Sequence, residues 1–175
     1  ASPAARRPGP AALRARARER LVVTAAQARD AFADVARAIE ERQAELDRLD
    51  AVTGDGDHGA TMVMGLRAVT AALAEDEDSV AELLRIAAGR FASVGGTTGP
   101  LWGTALLRAA QSLGGAGATD LAAMAAAVAA AAQGIADRGR CVEGDKTLLD
   151  VMGPASRALS AAAASGADPA EAVRQ

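Results

Sequence analysis

An acidic, glycine-rich run stands in the first half of the chain. It reads DAVTGDGDHG over residues 50–59 and holds three carboxylates, Asp50, Asp55 and Asp57. Glycines let the backbone turn tightly enough to bring these side chains to one point, where their charges repel unless a cation neutralises them. Mg²⁺ is usually bound by one or two carboxylates together with substrate phosphates. The run therefore indicates a magnesium site, and an ordinary Gly/Asp turn is the alternative.

Two neighbouring residues bear on that interpretation. The pair Asp55 and Asp57 begins like a calcium-binding EF-hand, but Leu66 stands at the twelfth position, where the EF-hand needs a bidentate glutamate. The EF-hand is therefore excluded. His58 is open to three roles: metal ligand, general base, or a residue that only makes hydrogen bonds.

Two later segments have the composition of phosphate-binding turns. The first is GGTTGP over residues 95–100, placed before a predicted helix, whose free N–H groups and dipole favour an anion. It lacks the Gly-Lys-Ser/Thr of a Walker A loop, and a plain interhelical turn is the alternative. The second is GDKT over residues 144–147, in which Lys146 either reaches a phosphate or only stabilises its own loop. Asp145 is the expected cap of the helix that follows.

Apolar residues recur every three or four positions along most of the chain, which predicts amphipathic helices. Ser79 and Thr119 are expected to cap two of them. Since no segment alternates with the period of a strand, we predict an all-α fold. The predicted buried stripes are Phe32, Val35, Ile39, Leu46 and Leu49; Met62, Leu66, Val69 and Leu73; Val80, Leu83, Ala87, Phe91 and Val94; Leu101, Ala105 and Leu106; Leu121, Met124, Val128, Ala132 and Ile135; and Leu148, Met152, Ala155, Leu159 and Ala162.

The short connections between these helices predict an up-and-down antiparallel bundle. Alternate loops then emerge at the same end, so the acidic run, the GGTTGP turn and the GDKT loop are expected on one rim. Three carboxylates beside two glycine-rich helix starts describe a site for a Mg²⁺-nucleotide, in which metal ions bridge carboxylates to phosphates.

The composition excludes several other classes of protein. The 175 residues, 50% hydrophobic and 23% charged with a net charge of −3, fit one globular domain. Aromatic residues make up only 2%, which argues against a base-stacking surface for nucleic acid. The single cysteine, Cys141, forbids an internal disulfide, and no uncharged apolar run of about 18 residues is present. We expect a cytoplasmic protein that binds neither nucleic acid nor membrane.

The two ends of the sequence give separate expectations. Residues 1–20 are rich in arginine and proline, so we expect a disordered basic leader followed by one helical nucleotide-binding domain over residues 21–175. Asp168, Pro169 and Glu171 form a helix-start pattern close to the end of the chain. Because such a short helix is marginal in water, we expect the natural protein to continue and this chain to lack its C-terminal portion.

Three ordered motifs together resemble the L subunit of dihydroxyacetone kinases. They are LDAVTGDGDHG (residues 49–59), SVGGTTGPLWGT (residues 93–104) and GRCVEGDKTLLD (residues 139–150). The resemblance is strong from about residue 46 to residue 154. It implies a bundle closed into a barrel-like ring, with a nucleotide pit at one rim that holds ADP or ATP and two Mg²⁺ ions. His58 favours this branch over the related fatty-acid kinase domains, which carry Asp-Gly-Asp-Thr-Gly at that loop.

The resemblance also implies roles for individual residues. Asp50, Asp55 and Asp57 would be the metal ligands. Lys146 is a candidate catalytic cation from its place in the third motif alone, and the resemblance assigns it no role. Two threonines stand where the family usually has Ala or Ser followed by Ser, and the family's closing segments, Gly-Arg-Ala-Ser and Gly-His-x-Asp-Pro-Gly-Ala, do not occur in this sequence. The nucleotide contacts would be His58, Gly59, Ala60, Thr61, Thr97, Thr98, Gly139 and Leu148.

For activity, the resemblance implies phosphoryl transfer to a sugar held by another subunit. A K subunit is expected to carry dihydroxyacetone covalently, and the L subunit presents the phosphoryl donor to it. The donor is either exchangeable ATP or a bound ADP that a phosphotransferase-system protein rephosphorylates, and both remain open. The alternative function is a non-catalytic subunit that senses nucleotide and binds a regulator.

Overall fold

The structure, a computed structural model, describes residues 22–73, 76–115 and 119–165. Most of this part of the chain is helical, and its two strands are two residues long each, which confirms the predicted all-α class. The predicted leader and the predicted helix start at Asp168 lie outside the described residues. The helices are α1 (Ala25–Glu41), α2 (Gln43–Asp50), α3 (His58–Ala72), α4 (Val80–Ala92), α5 (Thr98–Leu113), α6 (Leu121–Gly139) and α7 (Leu149–Ser165).

Consecutive helices from α3 to α7 pack side by side, and α1 and α2 pack against α3. Ala88 and Ala92, near the end of α4, face Gly103 near the start of α5, and Leu101 at the start of α5 lies beside Gly139 at the end of α6. These pairings are antiparallel, in agreement with the predicted up-and-down bundle. Within the described ranges, none of the helices is long and apolar enough to cross a bilayer.

Two clusters of buried side chains form the core. The first lies between α1, α3 and α4 and contains Leu83 and Phe91. The second lies between α5, α6 and α7 and consists largely of alanine, together with Ile135 and Leu149. Trp102 of α5 packs against both clusters, and its ring centroid is 6.4 Å from that of Phe91. The first turns of α5, which follow the GGTTGP turn, are therefore tied to both halves of the core.

The stripes predicted for α3 and α4 are confirmed. Every residue predicted there is buried, from Met62 to Leu73 and from Val80 to Val94. Ser79 caps α4 as predicted, because its side chain accepts a hydrogen bond from the N–H of Glu82. Large side chains at helical spacing identified the inward face of these two helices correctly.

The prediction that one helix carries the first apolar stripe as far as Leu49 is wrong, because the helix is interrupted at Arg42. The Arg42 N–H donates to the carbonyl of Ile39, three residues back, at 3.1 Å, and this tightened turn separates α1 from α2. Two residues of the predicted stripe, Val35 in α1 and Leu49 in α2, are 50% and 53% exposed.

The start of α6 also differs from the prediction. Asp120, and not Thr119, caps the helix, since its carboxylate accepts a hydrogen bond from the N–H of Ala123 at 2.8 Å. Thr119 is buried and pairs with Val23 in a short antiparallel ladder between β1 (Val22–Val23) and β2 (Thr119–Asp120). This pair of two-residue strands, which was not predicted, joins the start of α1 to the start of α6.

Helix α7 begins later than predicted, and the face that it buries is not the predicted one. It starts at Leu149, and Asp145 does not cap it, because the Asp145 carboxylate accepts a hydrogen bond from the N–H of Val142 instead, at 2.9 Å. The predicted core residue Ala155 is exposed. The buried positions of α7 are Leu149, Gly153, Ser156 and Ala162. In α6, similarly, Leu121, Met124 and Val128 are only half-buried, and alanines fill most of the inward face.

Leu83 provides a test of the core assignment. We expect Leu83→Ala to lower the free energy of unfolding by about 2–5 kcal/mol, because it removes a fully buried side chain and leaves a cavity. Leu107→Ala on α5, where the side chain is 43% exposed, is the matched control and should cost less than about 1 kcal/mol. Urea unfolding followed by circular dichroism measures both, and equal losses would contradict the assignment.

Candidate metal and nucleotide site

The three carboxylates of the acidic run converge on one point. One oxygen from each of Asp50, Asp55 and Asp57 lies within 4.8 Å of the other two. Asp50 is the last residue of α2, and Asp57 directly precedes α3. Asp50 also closes the loop, since its Oδ2 accepts a hydrogen bond from the N–H of Gly56 at 2.8 Å. Gly56 has a φ of 79°, which glycine adopts without strain.

The cluster carries uncompensated negative charge. Among the described residues, none of the ion pairs involves Asp50, Asp55 or Asp57. The charge of Asp55 is the main cause of a raised pKa at Asp57, with desolvation, a hydrogen bond to Asp55 and the charge of Asp50 adding to it. A hydrogen bond with the Thr61 side chain opposes that rise in pKa. Carboxylates grouped in this way fit a hard divalent cation, which prefers oxygen ligands.

The first turn of α3 is fastened to α2. Gly59 is buried, and a Cβ atom at that position would collide with the backbone oxygen of Gln43. The side chain of Asp47 reaches across from α2, and its Oδ1 accepts a hydrogen bond from the N–H of Ala60 at 3.0 Å. Asp47 therefore caps α3 from a neighbouring helix, which fixes the start of α3 relative to the acidic run.

Not all of the predicted phosphate contacts at this helix start have a free N–H group. The N–H of Ala60 is bonded to Asp47, and the N–H of Thr61 donates to the carbonyl of Asp57 at 2.8 Å. The Thr61 hydroxyl lies beside the acidic cluster, as its hydrogen bond with Asp57 shows. His58 is the first residue of α3 and is half-buried. A ligand at this point would therefore meet side chains more than backbone.

The second predicted segment leads into α5. Thr97 occupies the N-cap position, and Thr98 is the first helical residue. The Thr97 side chain makes no capping hydrogen bond, and its carbonyl accepts the N–H of Leu101 at 3.2 Å. Since Pro100 has no N–H and no side chain among the described residues caps this helix start, the N–H groups of Thr98 and Gly99 are the ones that can receive an anion.

The loop between α6 and α7, the third predicted segment, is held by two carboxylates. Asp150, in the first turn of α7, accepts hydrogen bonds from the N–H groups of Gly144 at 2.6 Å and Thr147 at 2.8 Å. These bonds hold the pKa of Asp150 below its ordinary value. Glu143 forms a two-pronged ion pair with Arg157 of α7, and the hydrogen bonds of that pair lower the pKa of Glu143.

The predicted residues of this loop lie at its edges and at its tip. Gly139 is the last residue of α6, and Leu148 directly precedes α7, where it packs on the second core cluster. Lys146 is exposed and has a φ of 58°, a left-handed conformation that is uncommon for a residue with a side chain.

Helix contacts bring the three segments to one end of the bundle, as predicted. Gly65, in the second turn of α3, faces Val94 just after α4, and Gly99, in the first turn of α5, lies against the carbonyl of the same valine. Gly139 at the end of α6 lies beside Leu101 at the start of α5. Val94 thus borders the middle of α3 and the first turn of α5, and the start of α5 borders the end of α6.

Three residues that shape this end were missed by the sequence analysis. Asp47 lies one helical turn before Asp50, and that spacing was the available signal for it. Asp150 stands in the third motif but received no role. Glu143 gave no signal, because its partner Arg157 lies 14 residues away.

The fold and the carboxylate cluster define an all-α domain with a candidate divalent-cation site at one rim. A sequence profile of the DAK2 domain family matches residues 52–175. The chain therefore belongs to the DAK2 domain family.

Individual relatives agree with this assignment. The D-erythrulose kinase of Mycolicibacterium smegmatis is 41% identical over 133 residues, covering 74% of this chain and 23% of that protein. The ADP-binding subunit DhaL of the PEP-dependent dihydroxyacetone kinase 1 of Listeria innocua is 34% identical, covering 72% of this chain and 64% of that protein. The crystal structure of the dihydroxyacetone kinase of C. freundii in its native form matches with a TM-score of 0.67 and 26% identity, covering 78% of this chain and 25% of that chain. The chain therefore spans only part of each relative.

Asp57→Asn tests the repulsion inside the cluster. Because the native pKa of Asp57 is raised above 3.8, the native state holds this proton more tightly than the unfolded chain does. The wild-type protein therefore loses stability as the pH rises from 3.8 through the native pKa. Without divalent cations, we expect Asp57→Asn to be more stable than wild type at pH 7 and to lose that advantage below pH 3.8.

Urea unfolding in the presence of a chelator measures this difference across the pH range. Asp34→Asn is the matched control, because Asp34 pairs with Arg37 at 2.8 Å on the exposed side of α1 and its loss brings no relief of repulsion. Equal stability of wild type and Asp57→Asn at every pH would show that the three carboxylates do not interact.

Proposed function

We propose that this chain is the Mg²⁺-nucleotide-binding part of a kinase that phosphorylates dihydroxyacetone or a related short ketose. The observation that carries the proposal is the convergence of Asp50, Asp55 and Asp57, on a fold that matches a dihydroxyacetone kinase. The C. freundii enzyme also has a structure in complex with AMP-PNP and Mg²⁺, which matches with a TM-score of 0.63. The relative from Listeria innocua is named as an ADP-binding subunit.

In this proposal, Asp50, Asp55 and Asp57 hold two Mg²⁺ ions only together with ADP or ATP. Three short carboxylates cannot fill two octahedral coordination shells, so phosphate oxygens and water must complete them. Bound Mg²⁺ supplies positive charge that offsets the charge of the phosphates during transfer. The aspartates set the position of that charge, because their loop is closed by Gly56 and fastened to α2 and α3.

The other rim residues orient the nucleotide in this proposal. Thr97 and Thr98 offer hydroxyl groups beside the uncapped start of α5. His58 and the Thr61 hydroxyl line the start of α3. Gly59 and Ala60, whose backbone is engaged with α2, hold that helix start in place. Gly139 and Leu148 contact the nucleotide from the two edges of the loop between α6 and α7.

The sugar would be held by a partner. The terminal phosphoryl group of the donor passes to a hydroxyl oxygen of the ketose, and ADP remains on this chain or leaves it. We propose a K-type subunit or domain as the partner, because the chain spans 23% of a D-erythrulose kinase and 64% of a DhaL subunit. The donor is ATP, or ADP rephosphorylated by a phosphotransferase-system protein, and both place the protein in the cytoplasm.

Substitutions in the carboxylate cluster test the binding of Mg²⁺ and of the nucleotide together. We expect Asp55→Ala and Asp57→Asn each to weaken Mg²⁺-ADP binding by at least about tenfold, because each removes a charged ligand oxygen. Isothermal titration calorimetry of ADP, with Mg²⁺ and with a chelator, measures the affinity, and Asp34→Asn on α1 is the matched control. Unchanged affinity for Mg²⁺-ADP in both variants would overturn the metal assignment. Wild-type affinity for ADP that is the same with Mg²⁺ and with the chelator would overturn it too.

Lys146 is tested by kinetics. If its ammonium stabilises charge on the transferring phosphoryl group, Lys146→Met lowers the transfer rate from the nucleotide-saturated chain to a K subunit loaded with dihydroxyacetone, and the melting temperature stays nearly unchanged. Arg138→Met, which removes another exposed cation near the end of α6, is the control. A normal rate with a lowered melting temperature would make Lys146 structural. No dihydroxyacetone phosphate from the wild-type mixture would support the nucleotide-sensing alternative.

A further inference from the structure

We propose that Asp150 is a positioning residue for the nucleotide site: it holds the loop between α6 and α7 in the shape in which that loop receives the nucleotide. The inference deepens the proposed function and rests on it. Asp150 itself touches backbone atoms of its own loop and is assigned no contact with substrate or metal.

The carboxylate of Asp150 binds backbone N–H groups of the loop on both sides of Lys146. It accepts one hydrogen bond from the N–H of Gly144, through Oδ1, and one from the N–H of Thr147, through Oδ2. Hydrogen bonds from N–H groups to an ionised carboxylate are stronger than those between neutral groups. Because Asp150 belongs to α7, these two bonds also fix the loop to a helix of the second core cluster.

The turn held in this way is one that the chain adopts only under constraint. Gly144 has a φ of 103°, and Lys146 has a φ of 58°. A left-handed conformation costs a residue with a side chain free energy that glycine does not lose. Since Lys146 lies between the two amides that Asp150 binds, the bonds of Asp150 offset that cost directly.

Two further side chains, those of Thr147 and Glu143, hold the rest of the loop against α7. The Thr147 hydroxyl accepts a hydrogen bond from the N–H of Leu149 at 3.2 Å and contacts the sulfur of Cys141 at 3.5 Å. The Glu143 side chain lies across Gly153 of α7 and pairs with Arg157. These contacts anchor the two ends of the loop. At its tip, Asp145 accepts a hydrogen bond from the N–H of Val142, and only Asp150 binds N–H groups on both sides of Lys146 among the described residues.

Every contact that holds the loop in this shape is made by the chain itself. A site that needs no ordering on binding retains more of its interaction free energy as affinity. Since Leu148 directly follows the clamped segment and Gly139 directly precedes the loop, a loosened tip would disturb the nucleotide contacts proposed at both edges. Loss of the Asp150 clamp is thus expected to appear in nucleotide affinity.

The test compares Asp150→Asn with wild type and with Asp137→Asn in the full chain. Asp137 lies in the last turn of α6, is exposed and bonds to Gln133. Its replacement therefore removes one negative charge close to the loop between α6 and α7, and it leaves the hydrogen bonds of that loop intact. Calorimetry with Mg²⁺-ADP gives the affinity, and hydrogen exchange without nucleotide gives the protection of the Gly144 and Thr147 amides. We expect Asp150→Asn to speed exchange at both amides and to weaken Mg²⁺-ADP binding by about tenfold, with Asp137→Asn within about twofold of wild type.

A double variant separates positioning from general stability. Lys146→Gly removes the cost of the left-handed turn, so Asp150→Asn should lose about fivefold less affinity in the Lys146→Gly background than in wild type. A loss that is equal in both backgrounds contradicts the proposed coupling. If Asp150→Asn does not fold, Asp150→Glu takes its place, because it keeps the charge and displaces the carboxylate by one methylene.

The remaining outcomes are also decisive. Faster exchange of the loop amides with unchanged Mg²⁺-ADP affinity overturns the positioning role and leaves the proposed function standing. Unchanged exchange shows that Asp150 does not clamp the loop. If wild type and Asp137→Asn fail to bind Mg²⁺-ADP, the proposed function fails and the positioning role fails with it, whatever the exchange measurement shows of the loop.

Discussion

The repulsion among Asp50, Asp55 and Asp57 is the constraint around which this end of the molecule is built. Their oxygens lie within 4.8 Å of one another, and two of the three side chains are exposed, so water screens part of the repulsion. The carboxylates cannot separate freely, because the loop is closed by the Gly56 N–H and α3 is tied to α2 by Asp47. A folded chain that keeps negative charges together in this way favours a state in which a divalent cation lies between them.

Carboxylates at this rim divide into two groups by what they already bind. Asp47 and Asp150 accept hydrogen bonds from backbone N–H groups, and their role is to fix the start of α3 and the third loop. Asp55 and Asp57 accept no hydrogen bond from the backbone among the bonds found in the described chain, and Asp57 bonds only with the side chains of Asp55 and Thr61 there. Asp50 belongs to both groups, since Oδ2 is bound to Gly56 and the other oxygen is not.

The sequence predicted most reliably what depends on side-chain size and on chain connectivity. Large apolar residues mark the buried faces of α3 and α4, and glycines between acids mark the loop that gathers Asp50, Asp55 and Asp57. In α6 and α7 alanine occurs on several faces, so spacing could not identify the buried one, and Ala155 proved to be exposed. The spacing of Asp47 from Asp50 could mark Asp47 as a candidate, but its hydrogen bond from the N–H of Ala60 depends on how α2 lies against α3.

The start of α5 connects the site to the core. Trp102, one turn after Thr98, packs against both core clusters, and Leu101 lies beside Gly139 at the end of α6. The carbonyl of Val94, just after α4, lies against Gly99, and the side chain of Val94 faces Gly65 of α3. The start of α5 is therefore packed against the end of α6 and against Val94, which in turn borders the middle of α3. Because tightly packed neighbours cannot shift independently, a displacement of the start of α5 would move the end of α6 and the segment after α4 with it.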